Sequence, residues 1–522
     1  MNRARRLARL LNILAAIVAE PGLNPLELAE RAGVSERTLR RDLTQLRELG
    51  YEVAYTSGYE VQEKLNLEGR ARARPPKRAY DQQLELLQAV ALAVGGAGLG
   101  EAGSKPLRAQ LGDSGVDGKE RTGLPTAWGG GPRRRRGPEG TRGGATPTKS
   151  QPIVLIPAGA TDADFIYATG FAVETGLYIR FAKDDDVLVV SPLEIDRARA
   201  QSKVANVVED REAYAHKSWA RLAAKMLREK GMDEARVSPR LPAAHLEDLR
   251  AEGIATAVDR ELFLAERRHK SAAEAEAIQA SQRAAEAAVV EVVRQLAAAD
   301  IKDGMLWSDG GALTSERLYA RAQLVLGEMG FTCPEMIIAG SPESALPHFR
   351  GEGPIRASAP VIIDIFPVGR SSHYHGDLTR TVVVGDIPEE FQRMHAATLQ
   401  ALDAGVESIR AGVPGKDVHL AVCQVLVDRG YGTTSVGYEG PEGVAKMNHS
   451  TGHGVGLDVH EEPSLRQTSH EPLREGDVVT VEPGLYKLGL GGVRIEDTGI
   501  VTANGFHNFT TITRSLNPKD YL

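Results

Sequence analysis

Residues 447–463 read MNHSTGHGVGLDVHEEP and place His449, His453 and His460 in one short run, in a 522-residue chain that holds only 13 histidines. Histidines four apart, as at 449 and 453, would share one face of a helix and suggest a zinc helix. The intervening residues exclude that. Gly452, Gly454 and Gly456 would each cost a helix about 1 kcal/mol, and Val455, Leu457 and Val459 alternate as in a strand. HEEPS at 460–464 is no zinc-helix box either, since its fifth position is Ser464. The three histidines are therefore expected on an extended, glycine-rich strand.

Four carboxylates elsewhere in the C-terminal half sit in similarly apolar surroundings. Asp364 ends the run VIID, and Asp377 precedes LTRTVVV. Glu482 follows VVTV and leads into Pro-Gly, while Glu496 lies in GGVRIED, read as a strand beside Arg494. An unpaired charge in a buried strand is heavily penalised. One such residue is usually a salt bridge or a strand end. Four of them together with a glycine-flanked histidine are better explained by a shared cation site. Four carboxylates and one imidazole make a hard, oxygen-rich donor set, suited to Mn²⁺, with Co²⁺ or Zn²⁺ as alternatives.

In chain order Asp364, Asp377, His453, Glu482 and Glu496 form an Asp-Asp-His-Glu-Glu pentad. The stretches GDLTRT, HSTGHGVGLDVHEEP, VEPGLY and VRIEDT resemble the pita-bread metallopeptidases, over about residues 259–522. The segment 152–258, with DFIYATGF, resembles the non-catalytic N-terminal domain of the Xaa-Pro aminopeptidases and prolidases in particular. The resemblance implies two divalent metal ions: Asp364 on one, His453 and Glu482 on the other, Asp377 and Glu496 bridging. It makes Glu482 the proton carrier, with His348 (on a facing strand) and His460 supporting the tetrahedral intermediate. His449 and Arg494 are expected at the substrate. Asp364 and Asp377 stand thirteen apart where the family commonly has eleven, and Phe366 replaces its usual glycine. The extra residues, PVGRSSH, read as a longer hairpin tip.

Outward from this region, the length calls for several domains. Two cysteines, Cys333 and Cys423, exclude a disulfide scaffold and suit a reducing cytoplasm. No apolar run approaches a membrane span. The opening MNRARRLARLLNILAAIVAE lacks a signal-peptide cleavage pattern. Residues 1–150 hold 25 Lys and Arg against 17 Asp and Glu, whereas the remainder holds 38 against 53. A basic front thus precedes an acidic body. Leucines at helical spacing over 3–20, the Asn24-Pro25 start of a second helix and the Ser35 cap of a third are followed by YEVAYTSGYEV, a hairpin around Ser57-Gly58. This order resembles winged helix-turn-helix regulators, in which the third helix enters the major groove of duplex DNA. Arg37, Thr38, Arg40, Arg41 and Thr44 would face outward there.

The expected organisation is multidomain: a winged-helix, otherwise all-α domain at 1–65, a helical extension at 66–94, a disordered Gly/Pro/Arg-rich linker at 95–151, a small α/β domain at 152–258 with a long helix following it from Leu262, and an α+β pita-bread catalytic domain at 259–522. A homodimer is expected because a single helix-turn-helix seldom binds specifically alone. Two functions compete. One is a metallopeptidase cleaving before proline in peptides. The other is a transcription regulator whose peptidase-like body senses a peptide or metal without turnover. A metal-free creatinase-like hydrolase is disfavoured by the intact pentad.

Replacing Arg40 and Arg41 together by alanine is expected to weaken binding of the full chain to duplex DNA and to reduce its salt dependence, by about one unit of slope per lost phosphate contact. A wild-type chain whose DNA binding shows no dependence on salt would leave this segment without a nucleic-acid role.

Overall fold

The computed structural model describes residues 151–522 together with Leu28, Ala29, Leu39, 53–55 and 59–61. The chain divides into two compact units, Met1–Arg135 and Arg136–Leu522. In the first, Leu28, Ala29 and Leu39 are helical and buried, in keeping with apolar faces of the second and third helices. Val53–Tyr55 and Tyr59–Val61 pair antiparallel, with Tyr55 opposite Tyr59, as expected for the two strands of the hairpin, whose turn residues 56–58 lie outside the described residues. The five positions expected to face the groove, Arg37, Thr38, Arg40, Arg41 and Thr44, the expected helical extension and residues 95–150 lie outside the described residues.

The second unit opens with a six-stranded mixed sheet in the order Val207–Glu209, Asp185–Val190, Leu177–Ala182, Ile153–Leu155, Glu234–Val237, Ala255–Val258. Helices cover it. In Trp219–Glu229 the residues Trp219, Ala220, Ala223, Ala224 and Leu227 are buried, the three-and-four spacing of an amphipathic helix laid on a sheet.

Beyond residue 258 the expected single long helix is two. Leu264–Arg268 stops at His269, and Ala272–Ala297 restarts behind a capping box in which Ser271 and Glu274 exchange hydrogen bonds. Ser271 competes for backbone donors that a continuous helix would need, so the chain turns there. Two helix pairs, Ala272–Ala297 with Ser315–Glu328 and Glu389–Ser408 with Gly415–Asp428, back the strands that bear the candidate ligands.

Those strands fall into three groups. Ile337–Gly340, Pro360–Ile365 and Leu378–Val383 form one antiparallel sheet, in which Asp364 pairs with Ile337 and Thr379. Glu461–Leu465, Gly452–Gly454, Val478–Val481, Asp497–Val501 and Phe506–Asn508 form a second. Gly432–Thr433, Lys446–Met447, Gly484–Lys487 and Gly491–Arg494 form a third. The longer connection between Asp364 and Asp377 leaves the flanking register intact, with Ile365 opposite Leu378, while Val368–Gly369 turns aside to pair with Phe331–Thr332. No helix among the described residues is long and apolar enough to cross a membrane.

A methyl group on Gly452 would lie 2.1 Å from the Thr480 carbonyl oxygen of the neighbouring strand. Gly452→Ala is therefore expected to destabilise the chain by about 1–3 kcal/mol, read by urea unfolding, because two backbones must part. An unchanged midpoint would mean that the strands yield freely.

Candidate metal centre and active-site cavity

All five pentad residues line one cavity of about 790 Å³, with His348, His449, His460 and Arg494 on its walls as well. Each carboxylate arrives from a strand end. Asp364 is the penultimate residue of Pro360–Ile365, Asp377 immediately precedes Leu378–Val383, and Glu482 follows Val478–Val481. Glu496 is not within a strand as expected. It sits in the two-residue break between Gly491–Arg494 and Asp497–Val501, where its N–H donates to the Thr379 carbonyl at 3.0 Å. The break lets the chain pass from one sheet to another while its carboxylate turns inward.

Ligand atoms of Asp377, His453 and Glu496 all lie within 4.8 Å of one another. His453 Nε2 is 3.6 Å from Asp377 Oδ2 and 3.4 Å from Glu482 Oε1. Its Nδ1 faces the Gly454 carbonyl at 3.2 Å, so Nδ1 carries the proton and Nε2 presents its lone pair to the carboxylates. Burial and the neighbouring His460 push the His453 pKa down to about 3, which keeps the ring neutral. Only His453 of the three clustered histidines is on a strand, Gly452–Gly454. His449 precedes it, and His460 ends an irregular loop. The register shift between Gly452 and Gly454 ends the alternation expected through Val459.

Asp364 stands slightly apart. Its Oδ2 accepts from Arg494 Nη2 at 2.6 Å, whereas its Oδ1 is buried without a hydrogen-bond partner. Arg494 Nη1 also donates to Tyr486 Oη at 2.8 Å, and that hydroxyl lies 3.0 Å from His449 Nε2. With His449 Nδ1 against the Ser450 carbonyl at 2.7 Å, the hydroxyl accepts from Arg494 and donates to His449. Burial, then the Arg494 charge, push His449 down to about 4. Tyr486 was not singled out from the sequence. Its signal was the end of VEPGLY, a tyrosine in a stretch otherwise built for packing. Thr379 was likewise missed, although its hydroxyl donates to Glu496 Oε2 at 2.8 Å. The His460 ring stands edge-on to His453, with centroids 4.2 Å apart. His348 lies in an exposed turn after Glu343–Ala345 rather than on a facing strand, since Pro347 and the preceding 3-10 turn end the pairing. His373 and His375 do not line the cavity.

Burial, reinforced by Asp364 and Glu482, holds the Asp377 carboxyl well above its ordinary range. Burial and the Asp377 charge do the same to Glu496. Glu482 is pushed up to about 8, chiefly by burial, against the opposing pull of Arg494. Carboxylates so placed need protons or cations between them. The orphaned Asp364 oxygen, the neutral imidazole and the oxygen-rich donor set all fit divalent cations.

The consequence for pH has a definite sign. A carboxyl whose pKa is raised on folding adds stability that is complete below its unfolded value, 4.5 for Glu482, and is lost as pH rises through about 8. Metal-stripped protein is therefore expected to melt at progressively lower temperature from about pH 4.5 to 8, and added Mn²⁺ is expected to reverse the fall. Asp377→Asn or Glu496→Gln should flatten this slope and lower the bound metal. A metal-free melting temperature that is constant across that range would contradict the buried-charge picture.

Residues 276–503 match metallopeptidase family M24, and residues 7–60 match a helix-turn-helix domain. A Xaa-Pro dipeptidase of Pyrococcus horikoshii is 38% identical over 183 residues, 35% of this chain and 48% of that protein. The chain thus spans about half the length of this relative in sequence. Among solved structures, the prolidase from Pyrococcus horikoshii superposes with a TM-score of 0.59 at 27% identity, covering 70% of this chain and 95% of that one. A Xaa-Pro dipeptidase from Bacillus anthracis gives 0.61 at 25% identity, with 70% and 94% covered. The pita-bread expectation for the catalytic fold holds. The match to metallopeptidase family M24 over residues 276–503 thus lies behind a match to a helix-turn-helix domain at residues 7–60.

Proposed function

We propose that the protein is a dinuclear metal-dependent peptidase that cleaves peptide bonds preceding proline, carried on one chain with a DNA-binding module. The observation that carries this reading is the convergence of Asp377, His453 and Glu496 within 4.8 Å, with Glu482 and Asp364 on the same cavity wall. In it Asp364 would hold one ion, His453 and Glu482 the other, and Asp377 and Glu496 both, with Mn²⁺ the best match to the donors and Co²⁺ or Zn²⁺ alternatives. Divalent ions bound there supply the positive charge that makes a water nucleophilic at neutral pH and offsets a developing oxyanion.

The rest of the chemistry belongs to side chains of this chain. Glu482, once ionised, takes a proton from the attacking water and delivers it to the leaving nitrogen. Proline leaves from a tertiary amide, so that nitrogen must be protonated before the bond can break. His460 and His348 donate to the carbonyl oxygen as it gains charge. The Arg494–Tyr486–His449 chain fixes the pocket wall, with His449 and Arg494 on the substrate side. The domain division 1–65, 66–94, 95–151, 152–258 and 259–522, the disordered character of 95–151, groove contacts from Arg37, Thr38, Arg40, Arg41 and Thr44, a homodimer and a cytoplasmic setting complete the proposal. Curated relatives named as Xaa-Pro dipeptidases and the helix-turn-helix match support it.

The decisive experiment loads metal-stripped protein with Mn²⁺, Co²⁺ or Zn²⁺ and supplies Xaa-Pro dipeptides and longer Xaa-Pro peptides. Cleavage before proline is expected. Glu482→Gln should still bind the peptide while kcat falls by about 10²–10⁴-fold, whereas His460→Ala should lower kcat and spare the bound metal. A loaded wild-type chain that binds these peptides without ever cleaving them would replace the hydrolase by a sensor.

A further inference from the structure

His460 reaches the cavity from residues 455–460, which have no regular structure between the strands Gly452–Gly454 and Glu461–Leu465. Few backbone bonds hold this loop: the Val455 N–H donates to the Val478 carbonyl, the Gly456 N–H donates to the Asp458 carbonyl, and the Gly456 carbonyl accepts from the His375 N–H, so that none of these involves the backbone of Val459 or His460. Charge does the rest. Arg267, on the helix Leu264–Arg268, directs Nη2 to Asp458 Oδ2 at 2.7 Å and to Glu461 Oε2 at 2.6 Å. These acids stand two residues before His460 and one after it. Arg267 Nη1 lies 3.0 Å from Asp164 Oδ1, in the first turn of Ala163–Thr169.

The cluster closes on itself. Ser238 donates to the other Asp164 oxygen at 2.6 Å, Arg240 donates to Asp458, and Lys270 Nζ donates to Glu461 Oε1 at 2.7 Å. Three carboxylates thus meet three cations, and the Arg267 and Lys270 side chains are only 10% and 1% exposed. Gly456 lets the acid come in, since a methyl group there would lie 2.4 Å from Glu461 Oε1. A planar guanidinium bonded to three acids fixes their relative positions in a way a flexible ammonium cannot.

We propose that Arg267 is a positioning residue for His460, and that Asp164 and Arg240 extend the clamp into the segment 152–258, which resembles a non-catalytic domain. The segment then helps to shape the active site across the sheet boundary. The role of His460 in turnover rests on the hydrolase reading above. The clamp itself does not.

The test uses the full chain with Arg267→Gln and Arg267→Lys, each also crossed with His460→Ala. Amide hydrogen exchange over 455–461 is expected to rise about tenfold or more in Arg267→Gln, a local opening, while exchange over 478–481 and bound Mn²⁺ stay as in wild type. On an Xaa-Pro peptide, kcat should fall by about 10²-fold, the scale of a misplaced catalytic group, with KM little changed and Lys restoring part of the loss. In the His460→Ala background the same Arg267 change should cost nothing further. Asp164→Asn, which removes only the outer partner, should act in the same direction more weakly if Arg267→Gln does not fold. Unchanged exchange at 455–461, or an equal loss of kcat in both backgrounds, overturns the proposal. A wild type that never cleaves removes the hydrolase reading, and exchange alone then decides the clamp.

Discussion

Mutual repulsion among buried carboxylates is the constraint that the fold around the cavity has to meet. Two like charges about 4 Å apart cost on the order of 4 kcal/mol at the effective dielectric of a protein. Asp377, Glu482 and Glu496 share a cavity wall with Asp364, and the histidine among them is neutral. Arg494 ion-pairs with Asp364 and lies near Asp377 and Glu482, but one guanidinium cannot balance four acids. Raised proton affinity is the metal-free answer, and divalent cations are the alternative that keeps every carboxylate ionised. A site of this kind is costly to assemble and therefore needs a rigid frame.

The frame is backbone. Asp377 is fixed on both sides by one side chain: its N–H donates to Gln282 Oε1 at 2.9 Å, and its carbonyl accepts from Gln282 Nε2 at 2.8 Å. The Glu482 N–H donates to the Thr451 carbonyl at 2.7 Å, tying it to the histidine strand. Thr379 joins the remaining parts, since its carbonyl accepts from Glu496 N–H and from Arg380 Nη1. Arg380 is buried against Asp497 at 3.0 Å, so the strand break that carries Glu496 has its own internal counter-charge. Breaking one partner of such a buried pair leaves a charge uncompensated. The ligands are thus held by interactions that do not involve a metal.

This explains which parts were legible in the sequence. The ligand carboxylates stood out because a charge flanked by Val-Ile-Ile or Val-Val-Thr-Val contradicts its own surroundings, and strand patterning is local. Helix limits were less legible: the run from Leu262 has helical composition throughout, and only the Ser271–Glu274 exchange shows where it breaks. Tyr486 and Arg267 were hidden for a different reason. A tyrosine on an apolar strand and an arginine on a charged helix look ordinary until distant partners arrive. Arg267 meets Asp458 from 191 residues away and Asp164 from 103 in the opposite direction. The groove positions from Arg37 to Thr44 rest on the order of cap, turn and wing, of which the hairpin and the buried Leu28 and Leu39 are described.

The alternation of glycine and histidine has a single physical cause. A side chain on Gly452 would strike the Thr480 carbonyl, one on Gly454 would lie 2.6 Å from the Glu462 carbonyl, and one on Gly456 would meet the Glu461 carboxylate. Successive residues of a strand point to opposite faces. The strand can press against its neighbours at 452 and 454 only if those positions carry no side chain, and His453 between them then faces the carboxylates. The glycines that exclude a helix are thus the same ones that bring the imidazole to the carboxylate cluster. Where the strand ends after Gly454, the backbone no longer dictates direction, and orienting His460 passes to the ion pairs on either side of it.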